Sequence, residues 1–125
     1  MSTIAVELVS VEASVWSGAA TSVTARTTEG EIGILPGHTP LLGALAEGFT
    51  VTIHAEDGTQ VVAAVHGGFL SVTPELVTVL AEVAELADDI DADRARTSLQ
   101  RAQAEDDEHA VRRAEARLRA VGQPV

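Results

Sequence analysis

Residues 49–68, FTVTIHAEDGTQVVAAVHGG, contain two β-branched segments separated by the dipeptide Asp57-Gly58. An Asp-Gly pair between alternating apolar segments is a strong signal for a β-hairpin with a two-residue turn. The pairing register of such a turn places Val51 on the same face as Ala64. Both faces of the predicted hairpin are apolar, so we expect another part of the protein, or a partner, to cover the second face.

The alternation of apolar and polar residues extends outward from this hairpin through most of the chain. Residues 4–8 and 23–27 alternate with a period of two, and Gly and Pro interrupt the pattern at short intervals until about Val83. Short strands separated by frequent turn signals are typical of an all-β sandwich or barrel. The sequence therefore predicts a β domain over residues 1–87.

At Asp91 the period of the apolar residues changes to that of an α-helix. Ala and Leu recur at intervals of three and four over residues 92–102, and the same spacing returns over 111–121. The acidic segment 105–108 separates the two. The sequence predicts an antiparallel two-helix hairpin domain over residues 88–125.

The predicted hairpin has clear end signals and a thin apolar seam. Asp106 or Asp107 is expected to cap the second helix, and Gly122 followed by Pro124 ends it. Most seam residues are Ala or Val, so their burial gains only a few kcal/mol at roughly 25 cal/mol per Å². A hairpin held this weakly is suited to be a moving part.

The composition excludes several classes of function. The 125 residues include no Cys, Lys, Tyr or Asn, and the net charge is −11. There is thus no thiolate nucleophile, no disulfide, no phosphate-binding loop lysine and no Schiff-base lysine. We expect a soluble protein with no signal segment that neither binds nucleic acid nor inserts directly into a membrane.

Positive charge is concentrated at one end of the chain. Residues 1–90 contain one arginine, Arg26, against twelve acidic residues, whereas residues 91–125 contain seven arginines against seven acidic residues. The C-terminal segment therefore differs from the body in charge as well as in period.

Three aspartates at the start of the first helix resemble the beginning of a calcium loop. Asp89, Asp91 and Asp93 alternate correctly, but Arg94 and Gln100 stand where such a loop needs glycine and an acid. Capping of free N–H groups and the helix dipole explain these aspartates better. No metal site is predicted here.

The sequence offers no catalytic residues. The four histidines are scattered, and no serine lies in a GxSxG motif. A metal centre formed by His54, His66 and a carboxylate is an alternative, with surface or turn positions as the default for histidine.

Residues 29–42, EGEIGILPGHTPLL, form the most distinctive loop of the chain. Pro36 fixes φ, Gly37 permits positive φ, and Pro40 forces Thr39 to be extended, which predicts a rigid corner built on a type II turn. A plain turn and a contact loop both fit these residues.

Arginines of the two helices are expected to lie close together. Arg113 and Arg117 are four residues apart and share a helix face, and Arg94 begins the first helix, near where an antiparallel second helix ends. Three guanidinium groups can bind phosphates. They can equally form a solvated face with ion pairs along the helix.

The order of VWSG, TEGEIGILPGHTPLL, HGGFLSVTPELVTVLAEVAEL, IDADRA and RRAEARLRAVG resembles the epsilon subunit of bacterial F-type ATP synthases. The resemblance spans nearly the whole chain, and the use of Arg for Lys with many Ala resembles actinobacterial members. It implies a ten-stranded β-sandwich followed by a C-terminal antiparallel two-helix hairpin. It also implies a non-catalytic rotor subunit of the central stalk at the cytoplasmic face of the cell membrane, which inhibits ATP hydrolysis through its C-terminal helices.

The resemblance implies partners and contact residues. The gamma subunit and the c-ring would be met by Glu29, Gly30, Glu31, Pro36, Gly37 and His38. The beta and alpha catalytic subunits would be met, in the inhibited state, by Arg101, Arg112, Arg113, Arg117 and Arg119.

Some members of the family bind ATP in the folded hairpin through an I/L-D-x-x-R-A motif. The positions that match the motif and its surroundings here are Glu85, Ile90, Asp91, Arg94, Ala95, Arg113 and Arg117. The resemblance implies ATP as a regulatory ligand and no required cofactor. The short second helix and the acidic body depart from a strong phosphate site.

Two other functions remain as alternatives. The first is a free-standing nucleotide-binding β-sandwich that acts as a sensor, and the second is a cupin-like metal enzyme.

Overall fold

The computed structural model describes residues 2–125, which form seven strands and two α-helices. The strands are β1 Ile4–Ser10, β2 Ser14–Thr27, β3 Gly30–Ile34, β4 Leu41–Ala44, β5 Thr50–Ala55, β6 Gln60–Val72 and β7 Leu76–Leu86. A 3₁₀ turn, Ala87–Asp89, leads to the helices α1 Ala92–Ala104 and α2 Glu108–Ala120. The predicted β plus α class is confirmed.

The sheet closes on itself because β1 is paired on both of its edges. It pairs antiparallel with β2 and parallel with β7, and the ring continues through β6 and β5 back to β2. Outside this ring, β3 pairs antiparallel with β2, and β4 pairs antiparallel with β6. Closure satisfies backbone groups that an open edge strand would leave unpaired.

The predicted count of ten strands is wrong, since residues 2–125 form seven. β2 has 14 residues, β6 has 13 and β7 has 11, about twice the usual strand length of about 5–6 residues. The first half of β2 pairs with β1 and its second half with β3, while β6 pairs first with β5 and then with β4. Each long strand thus occupies the place of two short ones.

The register predicted for the β5–β6 hairpin is wrong by one residue. Val51 pairs with Ala63 instead of Ala64. The loop has three residues, because Ala55 N donates to Thr59 O at 2.8 Å and Gly58 adopts a positive φ of 90°. A turn followed by a left-handed glycine is the usual three-residue hairpin, and it shifts every pair across the strands.

The corrected register separates the two faces of β6. Val61, Ala63 and Val65 face the main core together with Val51 and Ile53. The second face of the first half of β6 carries Val62, Ala64 and His66, and α2 covers it. The expectation of a covered second face is therefore confirmed, although its residues differ from those predicted.

The main core lies inside the closed sheet and consists of large aliphatic side chains. The largest of these side chains are at most 1% exposed and belong to Ile4, Leu8, Ile34, Ile53 and Leu70. Burying each such side chain contributes about 1.5–3 kcal/mol. The body therefore holds a fully buried aliphatic core.

The hairpin helices begin and end where the sequence predicts. Asp91 caps α1 by accepting a hydrogen bond from Arg94 N at 3.1 Å, and Asp107 caps α2 by accepting one from Ala110 N at 3.1 Å. Gly122, with φ 74°, follows the end of α2. The seam between the helices contains Ala95, Leu99, Ala114 and Leu118, with Val111 beside it.

The helix α2 also packs against the sheet. Ala116 and Ala120 contact Ala64 of β6 in a small cluster separate from the main core. Neither helix within residues 2–125 combines the length and the apolar character that a membrane span requires.

Candidate functional site

A cleft of about 360 Å³ opens where β7, α1 and α2 meet. It is lined by Glu85, Asp89, Ile90, Asp91, Arg94, Ala95, Ser98 and Arg117. Ligand sites in proteins commonly have volumes of about 300–1,000 Å³. Six of the seven residues predicted for the nucleotide site line this cleft.

The exception is Arg113, which lies in an adjoining groove on the other side of Arg117. This groove has a volume of about 310 Å³ and is lined by Ser98, Arg101, Ala102, Glu105, Ala110, Arg113 and Arg117. Ser98 and Arg117 belong to both hollows. The structure therefore brings the predicted arginines into neighbouring hollows and not into one pocket.

Asp91 and Arg94 have separate roles at the mouth of the cleft. The Asp91 carboxylate is engaged in capping α1, whereas the guanidinium of Arg94 makes no ion pair with any residue of the described part of the chain. Both residues are exposed. Arg94 is thus the cation of the cleft that is available for an anionic ligand.

Glu85 and Arg117 join the sheet to α2 at the inner side of the cleft. Arg117 Nε donates to Glu85 Oε1 at 2.9 Å and to Oε2 at 3.2 Å. Glu85 Oε1 also accepts from Nε2 of His66 at 3.0 Å. The hydrogen bond from His66, reinforced by Arg117, lowers the pKa of Glu85 from its ordinary value of 4.5, although burial acts in the opposite direction.

A second set of contacts holds α2 to the loop before β5. Glu47 accepts from His109 Nδ1 at 3.0 Å and pairs with Arg112 at 3.6 Å. Arg119 donates to Gly48 O. These contacts fix both ends of α2 on the body.

Phe49 completes this second set. The guanidinium of Arg119 lies 4.6 Å from the centre of its ring, and that of Arg26 lies 4.9 Å from it. Cation–π contacts of this kind contribute about 0.5–1 kcal/mol at exposed sites. The single arginine of the body and an arginine of the hairpin therefore share one aromatic ring.

The predicted contact loop forms a firm corner. Glu29 and Glu31 are exposed at the β2–β3 hairpin, where Thr27 Oγ1 donates to Gly30 O at 3.0 Å. Farther along, Gly37 has φ 81° and its N–H donates to Pro74 O at 3.1 Å. The loop is tied to the β6–β7 turn.

Pro36 and His38 complete that corner. His38 N donates to Leu35 O at 3.1 Å, which closes the turn around Pro36 and Gly37 as its sequence predicts.

Sequence reasoning missed an exposed apolar patch on the outer face of the sheet. Phe69 of β6 pairs with Ala44 of β4 and Leu80 of β7, and Leu42 lies two residues before Ala44 on the same face. Leu42, Phe69 and Leu80 are 73%, 56% and 48% exposed. The signal was available in "GGFLSV", where Phe69 and Leu70 are adjacent large apolar residues that must face opposite sides of a strand.

Sequence reasoning also missed His66 and Glu47 as contacts of the hairpin. The sequence favours a surface or turn position for His66, with a metal centre as the alternative, whereas the structure buries it. Within residues 2–125 no three His, Asp or Glu side chains are grouped in a way that would hold a metal ion. The signal for Glu47 was weaker, because its partners lie more than sixty positions away in the chain.

Comparison with known proteins gives matches to the sheet and to nearly the whole chain. Residues 3–87 match the family model described as the ATP synthase Delta/Epsilon chain, beta-sandwich domain. An ATP synthase epsilon chain of Streptomyces avermitilis is 60% identical over 116 residues, which cover 93% of each chain. One of Rhodococcus opacus is 56% identical over 121 residues, which cover 97% of this chain and 98% of the relative.

The fold is also found in solved structures. A chain in the cryo-EM structure of the Euglena gracilis mitochondrial ATP synthase, which contains OSCP, F1 and the c-ring, matches with a TM-score of 0.77 at 24% identity. The match covers 98% of this chain and 81% of that chain. This match shows the shared fold, and the family model over residues 3–87 together with the identities to the relatives above shows that the chain belongs to the epsilon-chain family of ATP synthases.

Proposed function

We propose that the protein is a non-catalytic rotor subunit of a proton-translocating F-type ATP synthase, which couples the gamma subunit to the c-ring and inhibits ATP hydrolysis with its C-terminal helices. The observation that carries the proposal is the contrast between a closed sheet around a buried aliphatic core and a helical hairpin attached to it by alanines and a few polar contacts. A stalk component needs a stable body such as the closed sheet, and a regulatory arm needs a weak attachment such as that of the hairpin.

The exposed apolar patch around Phe69 supports contact with the gamma subunit. Large exposed apolar groups clustered on one sheet face are typical of protein–protein interfaces. The acidic corner at Glu29 and Glu31, tied down at Gly37, is suited to meet the polar loops of the c-ring. These contacts would hold the subunit at the cytoplasmic face of the membrane through its partners.

The docked hairpin supports the regulatory part of the proposal. Arg112, Arg117 and Arg119 are engaged by Glu47, Glu85 and Gly48 O. They therefore become available to acidic loops of the beta and alpha subunits only when the hairpin leaves the body. Arg101 and Arg113 make no ion pair within residues 2–125 and need no such release.

Reconstitution with the other subunits tests the rotor function. Substitution of an interface anchor commonly costs about 2 kcal/mol or more, about 30-fold in affinity. We expect Phe69→Glu to prevent co-purification with gamma, whereas Val11→Glu, at an exposed valine of the β1–β2 turn outside the patch, leaves it unchanged. Full retention of gamma by Phe69→Glu would exclude this face as the contact.

Removal of residues 88–125 tests the regulatory function. We expect the assembled enzyme to hydrolyse ATP faster with the truncated subunit than with the full chain, at equal subunit occupancy. An unchanged rate of hydrolysis would contradict the inhibitory role and leave the rotor role standing.

The cleft and its adjoining groove support a regulatory ATP site. Arg94 and Arg117 face three carboxylates, from Glu85, Asp89 and Asp91, so the cleft alone is a poor site for a polyanion. The groove adds Arg101 and Arg113. We propose that a bound nucleotide extends across both hollows, with its phosphates toward the groove.

Titration of the isolated protein with ATP tests this site. We expect Arg94→Gln and Arg113→Gln each to weaken binding more than about tenfold, or about 1.4 kcal/mol. Arg96→Gln is the control, because Arg96 lies on α1 outside the cleft and donates to Pro124 O. Equal affinity in all variants would mean that the arginines form only a solvated face. Tight ATP binding in a chain without affinity for gamma would instead indicate a free-standing sensor.

A further inference from the structure

His66 is the only polar or charged side chain that is buried in the described part of the chain, with 5% of its surface exposed. It lies on the second face of β6, the face that carries Ala64 and is covered by α2. Buried histidine is unfavourable unless its ring nitrogens have partners. Its position therefore calls for an explanation other than filling space.

The ring of His66 is connected to the hairpin through a single carboxylate. Nε2 lies 3.0 Å from Glu85 Oε1, and because a carboxylate only accepts, Nε2 donates. The same oxygen accepts from Arg117 Nε at 2.9 Å. β6, β7 and α2 are thus joined by one continuous chain of hydrogen bonds.

The pairing of the strands explains why Glu85 needs support. Its backbone pairs with Ala64, so His66 lies diagonally across from it, on the same face. The glutamate side chain is long and 28% exposed, with cleft space beside it. Without His66 nothing on the sheet side would fix its orientation, since the ring and Arg117 are the partners of its carboxylate within residues 2–125.

We propose that His66 is a positioning residue of a latch, formed by His66, Glu85 and Arg117, that holds the hairpin docked on the body. His66 orients the Glu85 carboxylate, and the oriented carboxylate holds Arg117 and, with it, α2. The inference rests on the proposed role of the hairpin as a movable arm. It goes beyond that role by assigning a control residue inside the body, at a buried position of β6 on the face that α2 covers.

A merely structural role for His66 makes a different prediction. If the ring only fills space, leucine should replace it with little loss, since leucine keeps most of the buried volume. If the ring positions Glu85, the replacement must reproduce an N–H at the place of Nε2. The side-chain amide of Gln reaches about that place, whereas the shorter Asn does not.

The absence of cysteine allows the docking to be measured directly. Glu56→Cys in the β5–β6 loop and Gln100→Cys on α1 are both at exposed positions and would carry a fluorescent donor and acceptor. Energy transfer in the full chain, without nucleotide or partner subunits, reports whether the hairpin is docked. Increasing urea at low concentrations gives the equilibrium constant for docking, and far-ultraviolet circular dichroism verifies that the sheet stays folded.

We expect His66→Leu and His66→Asn each to lower the docking constant about tenfold, as for loss of a hydrogen bond to a charged group. His66→Gln should restore it to within about threefold of the wild type. Docking of the Leu or Asn variant equal to that of the wild type, or equal docking in the Gln and Asn variants, would overturn the proposal. If His66→Leu does not fold, the comparison of Gln with Asn decides alone.

A double-mutant cycle separates the latch from general effects on the hairpin. With Arg117→Gln already present, His66→Asn should have little further effect on docking. With Arg119→Gln present instead, it should have its full effect, because Arg119 contacts Gly48 and Phe49 and not Glu85. The same effect in both backgrounds would overturn the proposal. Co-purification with gamma, scored separately, tests the rotor function independently.

Discussion

The core of the sheet and the contact between sheet and hairpin are built from different residues. The core contains large branched aliphatic side chains that are fully buried, such as Leu8 and Ile53. The contact contains Ala64, Ala116 and Ala120, with polar groups around them. Alanine buries little area, so at about 25 cal/mol per Å² this contact gains far less than the core.

This difference means that the two parts should not lose their structure together. The hairpin can leave at a free-energy cost that the body does not share, because no residue of α1 or α2 belongs to the main core. Polar contacts at Glu47, Glu85 and Gly48 give the docked position its specificity. A switch with a gap of a few kcal/mol needs such an arrangement.

The largest expected effect is in the core of the body. Ile53→Ala should lower the free energy of unfolding by about 2–5 kcal/mol, because it removes buried methyl groups and leaves a cavity. His54→Ala, on the next residue and at an exposed position, should change it by less than about 0.5 kcal/mol. Urea denaturation followed by circular dichroism measures both. Similar values for the two variants would contradict the register described for β5.

A smaller effect is expected where the hairpin meets the sheet. Ala116→Leu should destabilise docking by about 1–3 kcal/mol, since α2 has no room for the added atoms between Ala116 and Ala64. The urea midpoint of the body should stay unchanged. Ala104→Leu, at an exposed position of α1, is the matched control. A fall in the stability of the body with Ala116→Leu would show that the two parts unfold as one.

The helix caps are expected to contribute less still. Asp107→Ala removes the acceptor for Ala110 N and should destabilise α2 by about 0.5–2 kcal/mol, whereas Asp107→Asn retains an acceptor. Amide hydrogen exchange in residues 108–120 measures the difference. Protection of the body amides should be the same in both variants, and a general loss of protection would contradict the separation of the two parts.

The parts of the fold that depend on neighbouring residues were predictable from the sequence. The change of period at Asp91, the caps and the end at Gly122 depend on hydrogen bonds within a few residues, and each was placed correctly. The number of strands depends on whether a long strand continues through a bend or ends there. The alternation of apolar and polar residues does not distinguish these two cases. The register of the hairpin failed because a left-handed Gly58 adds one residue to the loop.

The part of the candidate site that lies on a single helix was predictable from the sequence. Asp91 and Arg94 lie on the first turn of α1, and their motif placed them together in the cleft. The resemblance assigned Arg113 to the same site as Arg117, but Arg113 opens only onto the groove, whereas Arg117 lines both hollows. Glu47 and His66 act through contacts that only the docking of α2 creates, so no local pattern in the sequence indicates them.

The smallest effect is expected from low pH. Acid should weaken docking of the hairpin on the body and leave the core of the sheet unchanged. The pKa of Glu85 is lowered in the docked state by His66 and Arg117, so the stabilisation that it provides is complete above its ordinary value of 4.5 and is lost as the pH falls through the lowered value. We therefore expect energy transfer between body and hairpin to decrease below about pH 4.5 before the sheet unfolds.

Two variants identify the carboxylate that is responsible. Glu85→Gln should weaken docking at neutral pH and remove this acid dependence, although Asp89, Asp91, Arg94 and Arg117 still line the cleft. The pKa of Asp57 is also lowered, by the hydrogen bonds from Thr59, but Asp57 lies in the β5–β6 loop. Asp57→Asn should therefore leave the acid response of docking unchanged. Loss of the response in Asp57→Asn would mean that acid acts on the body and that the two parts are more tightly coupled than their contacts indicate. Its persistence in Glu85→Gln would mean that another carboxylate of the contact, such as Glu47, is responsible.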